Sequence, residues 1–398
     1  MNLHVRIACS LGLALSMPLA VAQTAPDHWL RPFVDYSWAW DANLFKVEDL
    51  RAPPDRAGLS DSFRTITTGL VMERQISNQG VNAHINVATT HFDRFKEIDY
   101  DSRDVGVTWN WQLGRRLRGT LGASSAQSLN SFAESHLQEK NLRTNRREFF
   151  NGVWRFHPDW QVQFGSSRNS HEFELLSQRT LNRDIRTNDI GLDYLSGNGN
   201  RIGLQLVRAD AVFPIEDERL PAQYRKLNDY TQDDIKLRVD WNLTGKSAIR
   251  FEGGKTGRTH VVLPERDFNG FNARLVATWA PTAKQLLTAN VWREIGAVDN
   301  LITNYTLNQG ASLDSVWAPN EKLRFDGRLS YEVRDYNGVA GIDQSRSDQY
   351  HLASLGMTYT LFRRLQLGFS ASRESLNSNQ ASRSYRTNGF VANLRYQY

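Results

Sequence analysis

The sequence predicts an all-β fold, a transmembrane antiparallel up-and-down β-barrel of about 18 strands, within a range of roughly 16 to 18. Three observations predict this fold. Apolar and polar residues alternate with a period of two, the connections alternate between short and long, and the last residue is aromatic. This combination is typical of bacterial outer-membrane barrels, whose short turns face the periplasm and whose longer loops face the outside.

The N-terminus is predicted to be a signal peptide over residues 1–22. Arg6 supplies positive charge, and the apolar run after it is too short to span a bilayer. Small residues at Ala20 and Ala22 favour cleavage before Gln23. A buried N-terminal helix is the alternative, which the polar, Pro-containing segment after this run disfavours. The chain is therefore expected to be exported to the outer membrane.

The rest of the chain is expected to form one domain, a barrel over residues 31–398 preceded by a short periplasmic segment at 23–30. Cys9 lies within the signal, so the mature chain of 376 residues (398 minus 22) has no cysteine. A long chain without cysteine is unlike the small secreted domains that depend on disulfides.

Composition narrows the class of protein. No later stretch reaches the roughly 18 apolar residues that a membrane helix needs, and the mean hydropathy is -0.53. A soluble exported protein and a β-barrel both fit these values, because alternating strands hide their apolar face from averaging. Eleven Trp and thirteen Tyr against four Met favour strands. The net charge of +5 is small and spread along the chain, so no nucleic-acid partner is expected.

Alternation with a period of two identifies the strands. Three segments show it over ten residues or so, at 104–113, 234–243 and 323–333. A helix would scatter their apolar residues around its axis. The apolar face of the first segment carries Val105, Val107, Trp109, Trp111 and Leu113.

The connections follow a hairpin pattern. Longer polar segments separate the short turns, so each period contains two strands and one longer loop. A soluble β-sandwich also has alternating strands, but it would not order its loops by length along the whole chain. Short turns are expected at 77–80, 113–116, 157–160, 196–200, 243–247, 280–284, 318–322 and 361–364.

The C-terminal segment FVANLRYQY resembles the signal that the outer-membrane assembly machinery recognises. Its apolar residues share one face and its last residue is aromatic. The assembly machinery and the outer-membrane bilayer are therefore expected partners. The residues that carry this signal are Phe390, Leu394, Tyr396 and Tyr398.

If the apolar face meets lipid, the polar face lines the lumen, and about 18 strands leave an aqueous channel. A mildly cationic lumen would favour anionic solutes. The alternative is that charges of both signs pair across strands and keep the lumen wet. The candidate lumen-lining cations are Arg116, Arg118, Arg147, Arg155, Lys236, Arg238, Arg250, Arg274, Arg324, Arg328 and Arg395.

Tryptophan recurs just ahead of the predicted short turns. An indole near the periplasmic end of a strand keeps its ring in lipid and its N–H near the headgroups. These residues are therefore expected to form an aromatic girdle at the membrane interface, with the strand register of Trp154 less certain than the others. They are Trp111, Trp154, Trp241, Trp279 and Trp317.

Motifs that carry chemistry are scarce. The histidines are scattered without metal-ligand spacing, and no HExxH, GxSxG or phosphate-binding glycine motif occurs. No catalytic residue, cofactor or metal is therefore predicted. A barrel enzyme such as an outer-membrane lipase or protease stays an alternative, because catalytic groups converge only in space.

The mature N-terminus resembles a family of β-barrel porins that includes the EpsL-type outer-membrane proteins of exopolysaccharide operons. The resemblance rests on a Pro-aromatic-Val strand start at 31–34 and a D-x-N-L-aromatic segment formed by Asp41, Asn43, Leu44 and Phe45. It implies export of an extracellular polysaccharide alongside periplasmic and inner-membrane components. A general or solute-specific porin for small nutrients is the alternative function.

Overall fold

A computed structural model describes residues 29–48, 56–135, 138–215, 226, 228–296, 303–338 and 346–398. The predicted signal peptide and most of the predicted periplasmic segment lie outside the described residues. The strands are β1 (Leu30–Asp41), β2 (Asp61–Ile76), β3 (Gln79–Phe92), β4 (Tyr100–Leu113), β5 (Leu117–Leu129), β6 (Leu142–His157), β7 (Trp160–Phe173), β8 (Arg183–Leu195), β9 (Arg201–Val212), β10 (Tyr230–Thr244), β11 (Ser247–His260), β12 (Phe268–Thr282), β13 (Gln285–Gly296), β14 (Thr303–Trp317), β15 (Leu323–Gly338), β16 (Arg346–Phe362), β17 (Leu365–Ser378) and β18 (Tyr385–Gln397).

The 18 strands form one closed antiparallel barrel. Each strand pairs with its neighbours in sequence, and β1 closes the sheet by pairing with both β2 and β18. The closing ladder runs from Phe33 opposite Gln397 to Asp41 opposite Gly389. Closure leaves no unpaired strand edge. The predicted fold and strand number are confirmed, and short connections occur at each of the eight predicted turns.

The number of strands sets the width of the barrel. Strands about 4.8 Å apart and tilted by about 40° give 18 of them a backbone radius of about 18 Å. Side chains occupy the outer part of that radius. Without the loops, an open space about 10 Å in radius therefore remains around the axis.

The two faces of the strands differ as alternation predicts. On β4, Val105, Val107 and Trp109 are exposed on the outside of the barrel. Asp104 and Gly106 alternate with them and are half-buried or buried on the inner face. The same division holds on β10 and β15.

Helices are short in the described residues. One α-helical turn, α1, spans Phe132–Ser135, and none of the described helices is long and apolar enough to cross a membrane. The 3-10 helical turns span Arg56–Leu59, Lys96–Ile98, Leu176–Leu181, Pro264–Arg266 and Ala381–Arg383. All of these turns lie in the longer connections, at the end of the barrel opposite the short turns.

Three of the longer loops pack together over one side of the barrel mouth. Leu44 and Phe45 from the β1–β2 loop, Ile98 from the β3–β4 loop and Phe132 from α1 are almost completely buried. The rings of Phe45 and Phe132 meet edge to face at 4.9 Å between centroids. We call these four residues, with the strand residues that they contact, the mouth cluster. It holds apolar loop residues against the barrel wall.

Candidate functional site

The inner face of the barrel carries most of the predicted lumen residues. By strand register, nine of the eleven cations alternate with exposed apolar residues and so face the interior: Arg118, Arg147, Lys236, Arg238, Arg250, Arg274, Arg324, Arg328 and Arg395. Two lie at the short-turn end instead. Arg116 is in the turn between β4 and β5, and Arg155 donates from Nε to the Pro158 carbonyl at 3.0 Å.

Many of the lumenal cations are paired with carboxylates on neighbouring strands. Arg250 Nε lies 2.5 Å from Asp240 Oδ1, and Lys236 Nζ lies 3.3 Å from Glu252 Oε1. Arg274 binds Glu294 through two hydrogen bonds.

Two further arginines of β15 are also paired with carboxylates. Arg324 Nε donates to Asp326 Oδ1 at 2.8 Å, and Arg328 Nε lies 3.5 Å from Asp314 Oδ1. Pairing across strands, the alternative interpretation of the sequence, therefore describes four of these five cations, whereas Arg324 pairs with Asp326 on its own strand. The lumen is charged but close to balanced.

Arg238 differs from these cations. It faces Gly203 on β9 and Glu252 on β11, but Glu252 binds Lys236. No carboxylate of the described residues lies within 4.0 Å of its guanidinium. The Arg238 guanidinium can therefore bind a solute without first displacing a carboxylate.

A row of directly opposed inner-face residues continues from Arg238 across β11 to β16. Trp292 Nε1 donates to Glu332 Oε2 at 2.9 Å, and Arg334 Nε donates to Glu332 Oε1 at 2.5 Å. We call the row the lumenal rung. In strand order it consists of Arg238, Glu252, Arg274, Trp292, Gly310, Glu332 and Tyr350.

Sequence reasoning missed the inward position of Trp292. The alternation in NVWREI places Trp292 on the same face as Asn290 and Glu294, opposite Val291 and Ile295. That pattern was a usable signal. It was hidden because the tryptophans near short turns pointed to the lipid interface.

The D-x-N-L-aromatic segment has a structural role at the mouth. Asp41 accepts hydrogen bonds from the Asn43 backbone N–H at 2.8 Å and from Lys46 Nζ at 2.7 Å. The Asn43 side chain donates to the carbonyl oxygens of Val47 and Arg386. These bonds fix the loop after β1 in the position in which Leu44 and Phe45 pack into the mouth cluster.

A carboxyl group fixes the β3–β4 loop beside the cluster. Asp99 accepts a hydrogen bond from the Phe92 N–H at 2.7 Å and lies 2.9 Å from His91 Nδ1. Partial burial alone would raise the pKa of the Asp99 carboxyl, but these two donors outweigh it and lower that pKa. The carboxylate therefore stays charged at neutral pH.

The predicted girdle tryptophans share the outer face. Trp154, Trp279 and Trp317 are about half exposed, and all five lie on descending strands near the short-turn end. The ring of Trp317 stacks on Phe325 of the next strand at 5.4 Å. The predicted assembly-signal residues are also exposed, namely Phe390, Leu394 and Tyr396 on β18 and Tyr398 directly after it.

Within the described part of the chain, no group of three or more His, Cys, Asp or Glu side chains could hold a metal ion. The inner face is instead a wall of paired charges, amides and aromatic rings. Such a wall offers many weak hydrogen bonds to a passing solute.

Comparisons with known proteins agree with this geometry. Residues 264–398 match the family described as "Putative beta-barrel porin 2". The match covers 135 of the 398 residues, about a third of the chain. The predicted resemblance to a β-barrel porin family is thereby confirmed, whereas the link to EpsL-type proteins is not. A search of curated proteins found no match.

Solved structures show the same fold. The outer-membrane protein OpdK of Pseudomonas aeruginosa is 10% identical, with 93% of this chain and 99% of that chain covered and a TM-score of 0.50. OpdK with vanillate gives the same values. Pseudomonas aeruginosa OpdF in complex with glucuronate is 9% identical, with 92% and 98% covered and a TM-score of 0.51. At this identity the likeness concerns the fold alone.

Proposed function

We propose that the barrel is a passive channel through which small hydrophilic solutes cross the outer membrane. The observation that carries the proposal is the inner face itself. It is wide enough for an aqueous path, and its charges are arranged largely as exchangeable ion pairs, beside an Arg238 guanidinium that has no carboxylate of the described residues within 4.0 Å. No chemical step is part of the proposal.

The similar solved structures support small solutes over a polymer. Two of them were determined with small organic molecules, vanillate and glucuronate. The mouth cluster adds to this support, because loops packed together at the mouth restrict the entrance. These observations favour the solute-specific porin, which was the alternative function, over export of an exopolysaccharide.

Solute uptake into vesicles tests the proposal. The refolded full-length chain would be placed in phospholipid vesicles that are transferred into iso-osmotic solutions of neutral solutes of increasing size. We expect rapid swelling with small sugars and a sharp fall in rate as solute size increases. Protection of the strands from protease shows that the barrel is folded. If such folded barrels give the same swelling rates as vesicles without protein, the proposal is contradicted.

We further propose that β18 carries the assembly signal. Phe390, Leu394, Tyr396 and Tyr398 lie on its lipid-facing side, next to the seam at which β1 closes the barrel. An assembly machinery that recognises the C-terminal strand would therefore meet an aromatic surface. A Tyr398→Ala variant is expected to reach the outer membrane in smaller amounts than wild type, with equal expression.

A further inference from the structure

The indole of Trp292 crosses the neighbouring strand at a glycine. Gly310 lies directly opposite Trp292 on β14. A Cβ atom at position 310 would lie 2.5 Å from Cζ2 and 2.8 Å from Cε2 of the indole, closer than real Cβ atoms approach other atoms. Glycine is therefore required for the ring to lie against the barrel wall. The indole therefore packs against this backbone while the side chain stays partly exposed.

The position of the indole is fixed before any ligand arrives. Its Nε1 donates to Glu332 at 2.9 Å, and Arg334 in turn holds the Glu332 carboxylate. The side chain is nevertheless partly exposed. A preorganised aromatic surface loses little conformational entropy when a ligand binds to it.

Hydrogen-bonding groups surround the ring. The Arg274 guanidinium carbon lies 5.5 Å from the indole centroid, and Glu294 engages Nε and Nη2 of that arginine. Among the described residues, none accepts a hydrogen bond from Nη1 of Arg274. Those N–H donors remain for a ligand beside the ring, and the Glu332 carboxylate offers acceptors on the other side.

The charge around the rung is balanced. Four cations, Lys236, Arg238, Arg274 and Arg334, face four carboxylates, Asp234, Glu252, Glu294 and Glu332. A strongly charged ligand would meet repulsion as well as attraction here. The balance favours an uncharged ligand with an apolar face and a rim of hydroxyl groups.

We propose that the lumenal rung is a binding site for neutral sugar rings, with Trp292 as the stacking surface; the proposal rests on the channel function given above and specifies its solute class. The C–H face of a pyranose ring lies on the indole, as apolar groups lie on aromatic faces elsewhere. Its hydroxyls exchange hydrogen bonds with Arg274 and Glu332. Sites of this kind combine an apolar surface with a few converging polar groups.

Ligand-observed NMR on the detergent-solubilised full-length barrel tests the site without requiring conduction. The probes are cellotriose, which has stackable rings, and glucitol, which has hydroxyls but no ring. We expect saturation transfer to the C–H protons of cellotriose and little or none to glucitol. Trp292→Leu is expected to weaken cellotriose binding about fivefold or more, whereas the outward-facing Trp279→Leu leaves it unchanged.

Trp292→Phe keeps a ring but lacks the bond to Glu332, so its affinity should lie between wild type and Trp292→Leu. It also serves if Trp292→Leu does not fold. Equal transfer to both probes, or cellotriose binding that neither Trp292 variant alters, would overturn the proposal. A channel that conducts but ignores cellotriose would refute the sugar site and leave the channel intact. Cellotriose binding to a barrel that never conducts would refute the channel alone.

Discussion

Reversing two charges of the lumen should change the ion selectivity of the barrel. Arg324 and Arg328 both lie on the inner face of β15 and pair with Asp326 and Asp314. Those four groups sum to zero charge. Arg324→Glu with Arg328→Glu changes the local charge by four units, from zero to minus four.

The size of the effect follows from the barrel width. At about 10 Å in water, one unit charge contributes about 0.4 kcal/mol to the energy of a monovalent ion. Screening over one Debye length at 0.1 M salt reduces that to about 0.15 kcal/mol. Four units give about 0.6 kcal/mol, with opposite signs for cation and anion. The cation-to-anion permeability ratio should therefore rise by about eightfold.

Reversal potentials across planar bilayers with a KCl gradient measure this ratio. Arg324→Gln with Arg328→Gln changes the charge by two and should give half of the free-energy shift. As a control, Arg373→Glu with Arg386→Glu also changes four units, but on exposed outward positions. Unchanged reversal potentials in folded lumenal variants, or an equal shift in the outward control, would refute the reasoning.

Three further substitutions test the mouth and the girdle. Asp41→Ala leaves the buried Lys46 ammonium unpaired and should destabilise the β1–β2 loop by about 3 kcal/mol. We expect faster proteolysis of this loop, and we expect the added substitution Lys46→Met to reverse it. Phe132→Ala removes a buried ring from the mouth cluster and should cost about 3 to 5 kcal/mol of local packing energy. The single-channel conductance should therefore rise. An unchanged conductance would show that the cluster does not narrow the path. Trp317→Ala should lower the free energy of unfolding of the barrel in phospholipid vesicles by about 1 to 2 kcal/mol, measured by urea titration. A similar loss for Ser315→Ala would contradict a girdle role.

Alternation predicted the strand faces because it depends on local geometry alone. In a β-strand every second side chain points the same way, so Val105 and Asp104 are assigned to opposite faces without knowledge of their neighbours. The turns were equally local, since Gly245 and Lys246 form a tight connection between two alternating segments. The fold could therefore be predicted almost completely.

Pairing and loop packing could not be predicted in this way. The partner of Arg274 is Glu294 on the next strand, which depends on the register between β12 and β13. The mouth cluster joins loops from three hairpins, so the burial of Phe45 and Phe132 depends on contacts far apart in sequence. The same holds for the lumenal rung, which spans seven strands.

The D-x-N-L-aromatic segment shows how a sequence marker acquires a physical meaning. Asp41 and Asn43 form the hydrogen bonds that fix the turn of the chain after β1. Leu44 and Phe45 are the side chains that this turn buries. Residues that suggested a family resemblance therefore have a specific task at the barrel mouth.

The conductance of the refolded full-length chain in planar bilayers tests the central claim most directly. A passive aqueous channel predicts stable current steps that increase in proportion to KCl concentration and to small applied voltages. Folded barrels that insert into the bilayer and carry no current at any voltage or salt concentration would contradict the account.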